Sequence, residues 1–291
     1  MSPSAPTKTK TSLSITHIGT ATAILSLDGI NLLTDPFFSP AGSTWDIGIT
    51  LAVSANPALS LAQLPPIDAV LLSHDDHVDN LDPPGRTLLD GRRVLTTPSA
   101  ARNLAPRPGT RGLAPWETVT LRLNGRDVRV TATPTQHLPG GQCTGFLVHH
   151  PDGSVDRASG LPNAVWFAGD TVYLAELRDG IRARAHVTAA VLNLGAVYIP
   201  AAVVHALDPR AAGAEAEAPV EEGAADVQIT MDGRQGARIV RELGAERLVP
   251  MHYEAWTHFT QGGEGLRRVF EEEGVLDRVC WLEPGKPVEV L

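Results

Sequence analysis

The chain is short of cysteine, of positive charge and of long apolar runs, and each shortage closes a class of explanation. Two cysteines, Cys143 and Cys280, stand in 291 residues. They cannot build a disulfide framework or a cysteine-rich zinc site, and both are expected as free thiols in a reducing compartment. No apolar run approaches the roughly 18 residues that a membrane helix needs, and mean hydropathy is −0.04. The opening MSPSAPTKTKTS lacks the apolar stretch of about 7–15 residues that follows the charges of a signal peptide. It reads as a flexible polar tail over 1–12, and a cytoplasmic location is expected. Lys and Arg number 24 against 33 Asp and Glu, a net charge of −9. A nucleic-acid partner would ask for a basic face, and a membrane partner for an amphipathic or apolar docking segment. Neither is visible, so the expected partner is a small-molecule substrate.

What is present is an alternation of short apolar runs with turn residues. No repeat of about 20–50 residues interrupts it. Strands are expected over 12–18, 21–27 and 31–34, with Asp28-Gly29 as a hairpin turn. Residues 36–66 read as loop with a short helix. The run 68–73, DAVLLS, suits a strand buried on both faces. A strand over 93–97 follows, with Ser99 as the cap of a short helix. A hairpin over 118–123 and 127–133 turns at Asn124-Gly125, and further strands fall at 145–149, 164–168 and 189–194. Residues 200–226, rich in Ala, Glu, Gly and Pro, read as a mobile insert. A helix over 232–244, a strand over 247–250, a helix over 263–273 and strands over 279–282 and 287–290 complete the chain. Two β-rich halves packed face to face, with helices outside, would make one domain over 13–291.

Four strand ends carry similar chemistry. DAVLLS is followed by His74-Asp75-Asp76-His77-Val78-Asp79-Asn80. The strand through Thr133 runs into Pro134-Thr135-Gln136-His137. AVWFA leads to Gly169-Asp170-Thr171, and RLVP to Met251-His252-Tyr253. Imidazoles and carboxylates together suit zinc, manganese or iron. Without paired cysteines, a site of His and Asp with open positions is catalytic in character.

The order of these motifs resembles the metallo-β-lactamase superfamily. Its usual first motif is His-x-His-x-Asp-His, followed by a single His, a bridging Asp and a last His. The stretch THIGTATAILSLDGINLLTDPFF and the later ITMDGRQGARIVRELGAERLVPMHY are similar to the branch holding sugar-lactone lactonases and N-acyl-phosphatidylethanolamine phospholipase D. The first motif here departs from the pattern. It reads His74-x-x-His77-x-Asp79-Asn80, with one extra residue and with Asn80 where the last His is expected. An alternative register puts Asp76 in place of the second His, but it leaves Val78 at the essential Asp.

The resemblance implies an αββα sandwich of two mixed sheets with helices on both outer faces. It implies one or two divalent ions, zinc first, with manganese or iron as the other candidates. His74, His77 and His137 would hold the first, Asp170 would bridge, and Asp79, Asp170 and His252 would hold the second. Asn80 offers at most a neutral amide oxygen. The implied activity is metal-dependent hydrolysis by a metal-bound hydroxide, opening a lactone or related cyclic amide of a small, partly apolar substrate. Asp79 would orient the water and shuttle its proton, and His258 is the second catalytic candidate, against the reading of an ordinary surface histidine. Asp35 is either an Asx turn before proline or the residue that fixes the tautomer of a ligand histidine. Tyr253, Trp256 and Phe259 are either an apolar substrate wall or a packed loop. His17, His149, His150, His186 and His205 read as structural or exposed. The rivals are a phosphodiesterase, for which Arg102, Arg107 and Arg111 are candidate cations in a separate segment that nothing ties to the site, and a non-catalytic metal- or ligand-binding protein.

Overall fold

The structure is a computed structural model that describes residues 11–46, 50–138, 142–200 and 226–291. The expected tail over 1–12 and insert over 200–226 fall almost wholly outside the described residues. The first half supplies β1 (Leu13–Gly19), β2 (Thr22–Leu27), β3 (Ile30–Thr34), the short pair β4 (Thr44–Asp46) and β5 (Thr50–Ala52), then β6 (Ala69–Leu71), α1 (Pro83–Leu88), β7 (Val94–Thr96), α2 (Pro98–Asn103) and β8 (Thr110–Gly112). The second half supplies β9 (Thr118–Leu123), β10 (Arg126–Thr133), β11 (Gly145–His149), β12 (Asn163–Phe167), α3 (Ala175–Arg182), β13 (His186–Asn193), β14 (Tyr198–Ile199), β15 (Val227–Gln228), α4 (Gly233–Leu243), β16 (Arg247–Met251), α5 (Gly263–Glu272) and β17 (Pro287–Glu289).

Two mixed sheets face each other. The first has strand order β17-β1-β2-β3-β6-β7-β8, and the second β16-β13-β12-β11-β10-β9. Alternation along the strands sends one set of side chains between the sheets, where Leu25, Leu32, Leu71, Val130, Phe146, Phe167 and Val249 meet. The other set faces helices. Trp166, Ala190 and Leu248 pack under Leu177, Ile181, Ile239 and Leu266 of α3, α4 and α5. On the opposite side Leu33, Val70 and Val94 pack under Leu88, Ala100 and Leu104, at α1 and α2. Strands buried on both faces explain the continuous apolar runs. The result is the αββα sandwich.

Strand direction positions the functional edge. β3, β6, β7 and β8 run parallel, as do β12, β13 and β16. β10 is antiparallel to β11, which is antiparallel to β12. β10 therefore points the same way as β12, and the C-terminal ends of β10, β12, β13 and β16 share one edge of their sheet.

Local expectations fail in a few places. The cap of α2 is Thr97 and not Ser99. Thr97 Oγ1 accepts from Ala100 N at 3.0 Å, because Pro98 occupies the first helical position and the residue before it becomes the cap. The expected strand 279–282 is a single bridge, Val279 to Leu248, after a 3-10 turn at Leu276–Arg278. Cys280 N donates to Leu248 O at 2.8 Å, and the chain then leaves the sheet edge. The amphipathic helix α3 and the short antiparallel pairs β4–β5 and β14–β15 were not anticipated.

Candidate metal centre

Each chemistry-bearing residue is delivered by a strand end and held by local hydrogen bonds. After β6 come Ser73 and His74, and the loop then turns so that Asn80 N and Leu81 N donate to His77 O at 3.3 and 3.1 Å. Asp82 ties the loop's exit. Its Oδ1 caps α1 by accepting from Gly85 N at 2.8 Å, and its Oδ2 accepts from Phe38 N at 2.9 Å and Ser39 Oγ at 2.6 Å. At the end of β12, Gly169 has φ +61°, and an added Cβ would lie 2.6 Å from Thr144 O. Only glycine fits there without a shift, and that fit places Asp170 next. After β16, His252 adopts φ 56°, a conformation costly for a side-chain-bearing residue. Its N–H donates to Thr20 O at 3.1 Å.

The structure brings together all six residues expected as ligands, in two groups. His74, His77 and His137 form one, and Asp79, Asp170 and His252 the other; within each group the donor atoms lie within 4.8 Å of one another. Asp170 lies between them. Its Oδ2 is 3.9 Å from His74 Nε2 and 3.8 Å from His137 Nε2, and its Oδ1 is 3.6 Å from His252 Nδ1. His137 Nε2 and His77 Nδ1 approach to 2.9 Å. Asp79 Oδ2 is 3.3 Å from His252 Nε2 and 3.5 Å from His258 Nε2.

Hydrogen bonds around the groups set the tautomers. His137 Nδ1 contacts Ile229 O at 2.7 Å. A carbonyl only accepts, so Nδ1 carries the proton and Nε2 keeps its lone pair. Asp35 accepts from Ser73 N at 2.6 Å, Ser73 Oγ at 2.7 Å and Asn80 Nδ2 at 3.0 Å. With its own proton committed to Asp35, Ser73 Oγ accepts from His74 Nδ1 at 2.8 Å. His74 Nε2 is thus left with a free lone pair, buried and without a partner, as are both ring nitrogens of His252. Asp35 therefore acts on His74 through Ser73. The same bonds fix Asn80: its Nδ2 is held by Asp35, while its Oδ1 is buried without a partner.

Burial, reinforced by the neighbouring imidazoles, holds His74 well below the usual histidine range and lowers His137. Burial alone would raise Asp79, but His252 and His258 outweigh it and hold it well below the usual carboxylate range. Burial likewise opposes the ionised form of Asp170, yet His252, His137 and His74 bring it down. His252 is pushed up to about 9, because Asp170 and Asp79 outweigh its burial. Burial, only partly offset by the Ser73 bonds, raises Asp35 to about 7. Buried unpaired nitrogens cost about 1–3 kcal/mol each, and carboxylates facing them form a set that a divalent cation would satisfy. The donor atoms present therefore fit such an ion.

Above the groups opens a cleft of about 630 Å³, mouth included, with Asp76, His77, Asp79, His137, Asp170, His252 and His258 on its floor and rim. Its walls are Leu51, Val78, Leu138, Val197, Tyr198, Ile199 and Ile229, and no Arg or Lys lines it among the described residues. Asp75 turns away to Asn103 (3.4 Å) and Arg86 (4.0 Å). Tyr253, Trp256 and Phe259 are not on the wall. Trp256 packs on Phe37 and Trp45 at 5.2 and 5.5 Å, Phe259 on His252 at 4.6 Å, and Tyr253 on Trp281 at 6.3 Å. Trp256 and Phe259 also pack against the ring of His258. Arg107 and Arg111 are paired with Asp90 and Glu117, and neither they nor Arg102 reach the cleft. The thiol of Cys143, 3.6 Å from His74 Nδ1, is pushed well above its ordinary range by burial and then by Asp170 and Asp35, which disqualifies it as a nucleophile. His17, His149, His150 and His186 contact Thr20 O, Thr131, Thr188 and Glu246; His205 lies outside the described residues. Sequence reasoning missed Ser73 and Asn193, whose Nδ2 donates to Asp170 Oδ1 at 2.6 Å. Asn193 ends β13 at the same sheet edge, which was the available signal.

Comparison with known proteins agrees with this geometry. The Beta-lactamase superfamily domain matches residues 30–253. An uncharacterized protein of Mycobacterium tuberculosis is 41% identical over 70 residues, a stretch that covers 24% of this chain and only 18% of that one. A UPF0173 metal-dependent hydrolase of Methanopyrus kandleri is 24% identical over 291 aligned residues, covering 94% of this chain and 99% of that protein. The crystal structure of an isothiocyanate hydrolase from Delia radicum gut bacteria superposes with TM-score 0.70 at 18% identity, covering 94% of this chain and 98% of that one. With its fold, its strand-end motifs and a family match across most of its length, this chain belongs to the metallo-β-lactamase superfamily.

Proposed function

We propose that the protein is a metal-dependent hydrolase that opens a lactone or related cyclic amide in a small, partly apolar substrate. The observation that carries this reading is the pair of donor groups, with unspent imidazole lone pairs, on the floor of an apolar-walled cleft. His74, His77 and His137 would hold one divalent ion and Asp79, Asp170 and His252 a second, with Asp170 shared. When bound, the ions supply Lewis acidity and lower the pKa of coordinated water towards 7. Zinc is the first choice for this donor set, with manganese or iron next.

The chain's own groups do the rest. Asp79, ionised and facing the cleft, takes a proton at the carboxylate oxygen that is not spent on the ion and returns it to the leaving group. Asp35 and Ser73 hold His74 in the tautomer that presents Nε2. Val197, Ile199, Ile229 and Leu138 exclude water and seat the apolar part of the substrate. A phosphodiester would bring negative charge to a cleft that already holds Asp76, Asp79 and Asp170 with no Arg or Lys to receive it. That favours an uncharged carbonyl centre.

The test is turnover of a panel of lactones, lactams, phosphodiesters and an isothiocyanate, with and without chelator. Lactone or lactam turnover abolished by chelator and restored by zinc is the expected result. Phosphodiester turnover would transfer the reading to that chemistry. Bound metal with no turnover would make the chain a binding protein.

A further inference from the structure

We infer that His258 is a ligand of the acidic half of the centre, supplying the nitrogen that Asn80 withholds. This rests on the metal-dependent reading above. Asn80 is fully buried, its Nδ2 is bound to Asp35 Oδ2 at 3.0 Å, and it does not line the cleft. The acidic group then holds two carboxylates and a single imidazole. His258 approaches it from the cleft side. Its Nε2 is 3.5 Å from Asp79 Oδ2, the same oxygen that His252 Nε2 meets at 3.3 Å.

Those separations are informative. Two donors on one tetrahedral ion, with bonds of about 2.0–2.2 Å, stand roughly 3.3–3.6 Å apart. His258 Nε2 and Asp79 Oδ2 are therefore spaced as adjacent ligands. The ring is wedged between Trp256 and Phe259, with centroids 5.5 and 4.7 Å away. Its Nε2 is the nitrogen that faces Asp79, so Nε2 is the atom offered to the centre. A second nitrogen also softens the donor set and shifts its preference from manganese towards zinc.

The experiment is a zinc titration of chelator-stripped full-length protein against a chromophoric competitor, comparing wild type, His258→Ala and His258→Gln. Circular dichroism monitors the fold, and the visible spectrum of the cobalt-loaded proteins gives a readout independent of affinity. Wild type should take two ions. Both variants should keep the tighter one and bind the second at least about tenfold more weakly, since loss of even an outer partner of a ligand costs 10–100-fold. Their cobalt spectra should lose the contribution of the second site. Two unchanged binding events in either folded variant, or a single ion in wild type, would overturn the assignment of His258 and leave the three-histidine group standing. Failure of wild type to bind any metal would overturn the metal-dependent reading itself.

Discussion

The second sheet has buried histidines at both of its ends, and the two ends treat them differently. At the C-terminal edge of β10 and β16, His137 and His252 face Asp170 across the cleft floor; His137 Nε2 meets His77 Nδ1, and both ring nitrogens of His252 lack a hydrogen-bond partner, as does His74 Nε2. At the opposite edge, where β11 ends, His149 and His150 face hydroxyls. His150 meets Thr188 Oγ1 at 2.9 Å and Ser154 Oγ at 3.3 Å, and His149 meets Thr131 Oγ1 at 3.3 Å. No carboxylate lies within ion-pair distance of either among the described residues. One nitrogen there, His149 Nδ1, has no partner, but it stands alone. Burial by itself thus marks a histidine as structural. Burial with several free lone pairs opposite carboxylates marks a site.

The largest expected effect lies at the first end. Asp170→Ala removes the carboxylate that reaches His74, His137 and His252. It should cost roughly 10³-fold in kcat/KM, about 4 kcal/mol, and lower metal content while the fold survives. Elemental analysis and kinetics on the same sample check this, and normal values of both would remove Asp170 from the centre. The other end should answer to pH instead. Burial, then Arg129 and His150, lower His149 to about 4, against about 6.5 when unfolded. Between those values the unfolded chain binds more protons, so stability rises with pH. The contribution is full above about pH 6.5 and lost on descent towards 4, a change of roughly 3 kcal/mol. Urea melts of wild type and His149→Gln should diverge by that amount across this window; parallel curves would refute the shift.

The sequence displayed one end of this comparison better than the other. The strands around the centre were legible because they are buried on both faces and written as unbroken apolar runs. The six clustered residues were legible because parallel strands deliver their ends to one edge. The aim of Asn80 was not, since it depends on Asp35, placed beside it only by the pairing of β3 with β6. The cleft wall was hidden for a similar reason. Ile199 and Ile229 come from either side of β14–β15, a two-residue pairing too short to leave a periodic signal. Trp256, attractive as a wall, turns inward because Phe37 and Trp45 give it an apolar seat.

A smaller effect tests whether support differs between the ends. Asp35 does not face the cleft, yet it fixes His74 through Ser73. Asp35→Asn replaces one acceptor oxygen with a donor and should weaken metal binding by about 10–100-fold, with little change in thermal stability in the stripped protein. Equal affinity in the variant would show that Ser73 alone sets the tautomer.

The smallest effect belongs to the structural end. Thr188 Oγ1 donates to Ala164 O at 3.1 Å, so it accepts from His150 Nε2–H at 2.9 Å. Thr188→Val keeps the shape and leaves that N–H unpaired in a buried position. The expected cost is about 1 kcal/mol of stability, read as a lower urea midpoint at unchanged slope. Metal content and kcat/KM should stay at wild-type values, because His150 answers to a hydroxyl at the far edge of the sheet and to nothing at the centre. Loss of metal in this variant would mean that the two ends are coupled through β11 and β12, and the division between structural and functional histidines would fail.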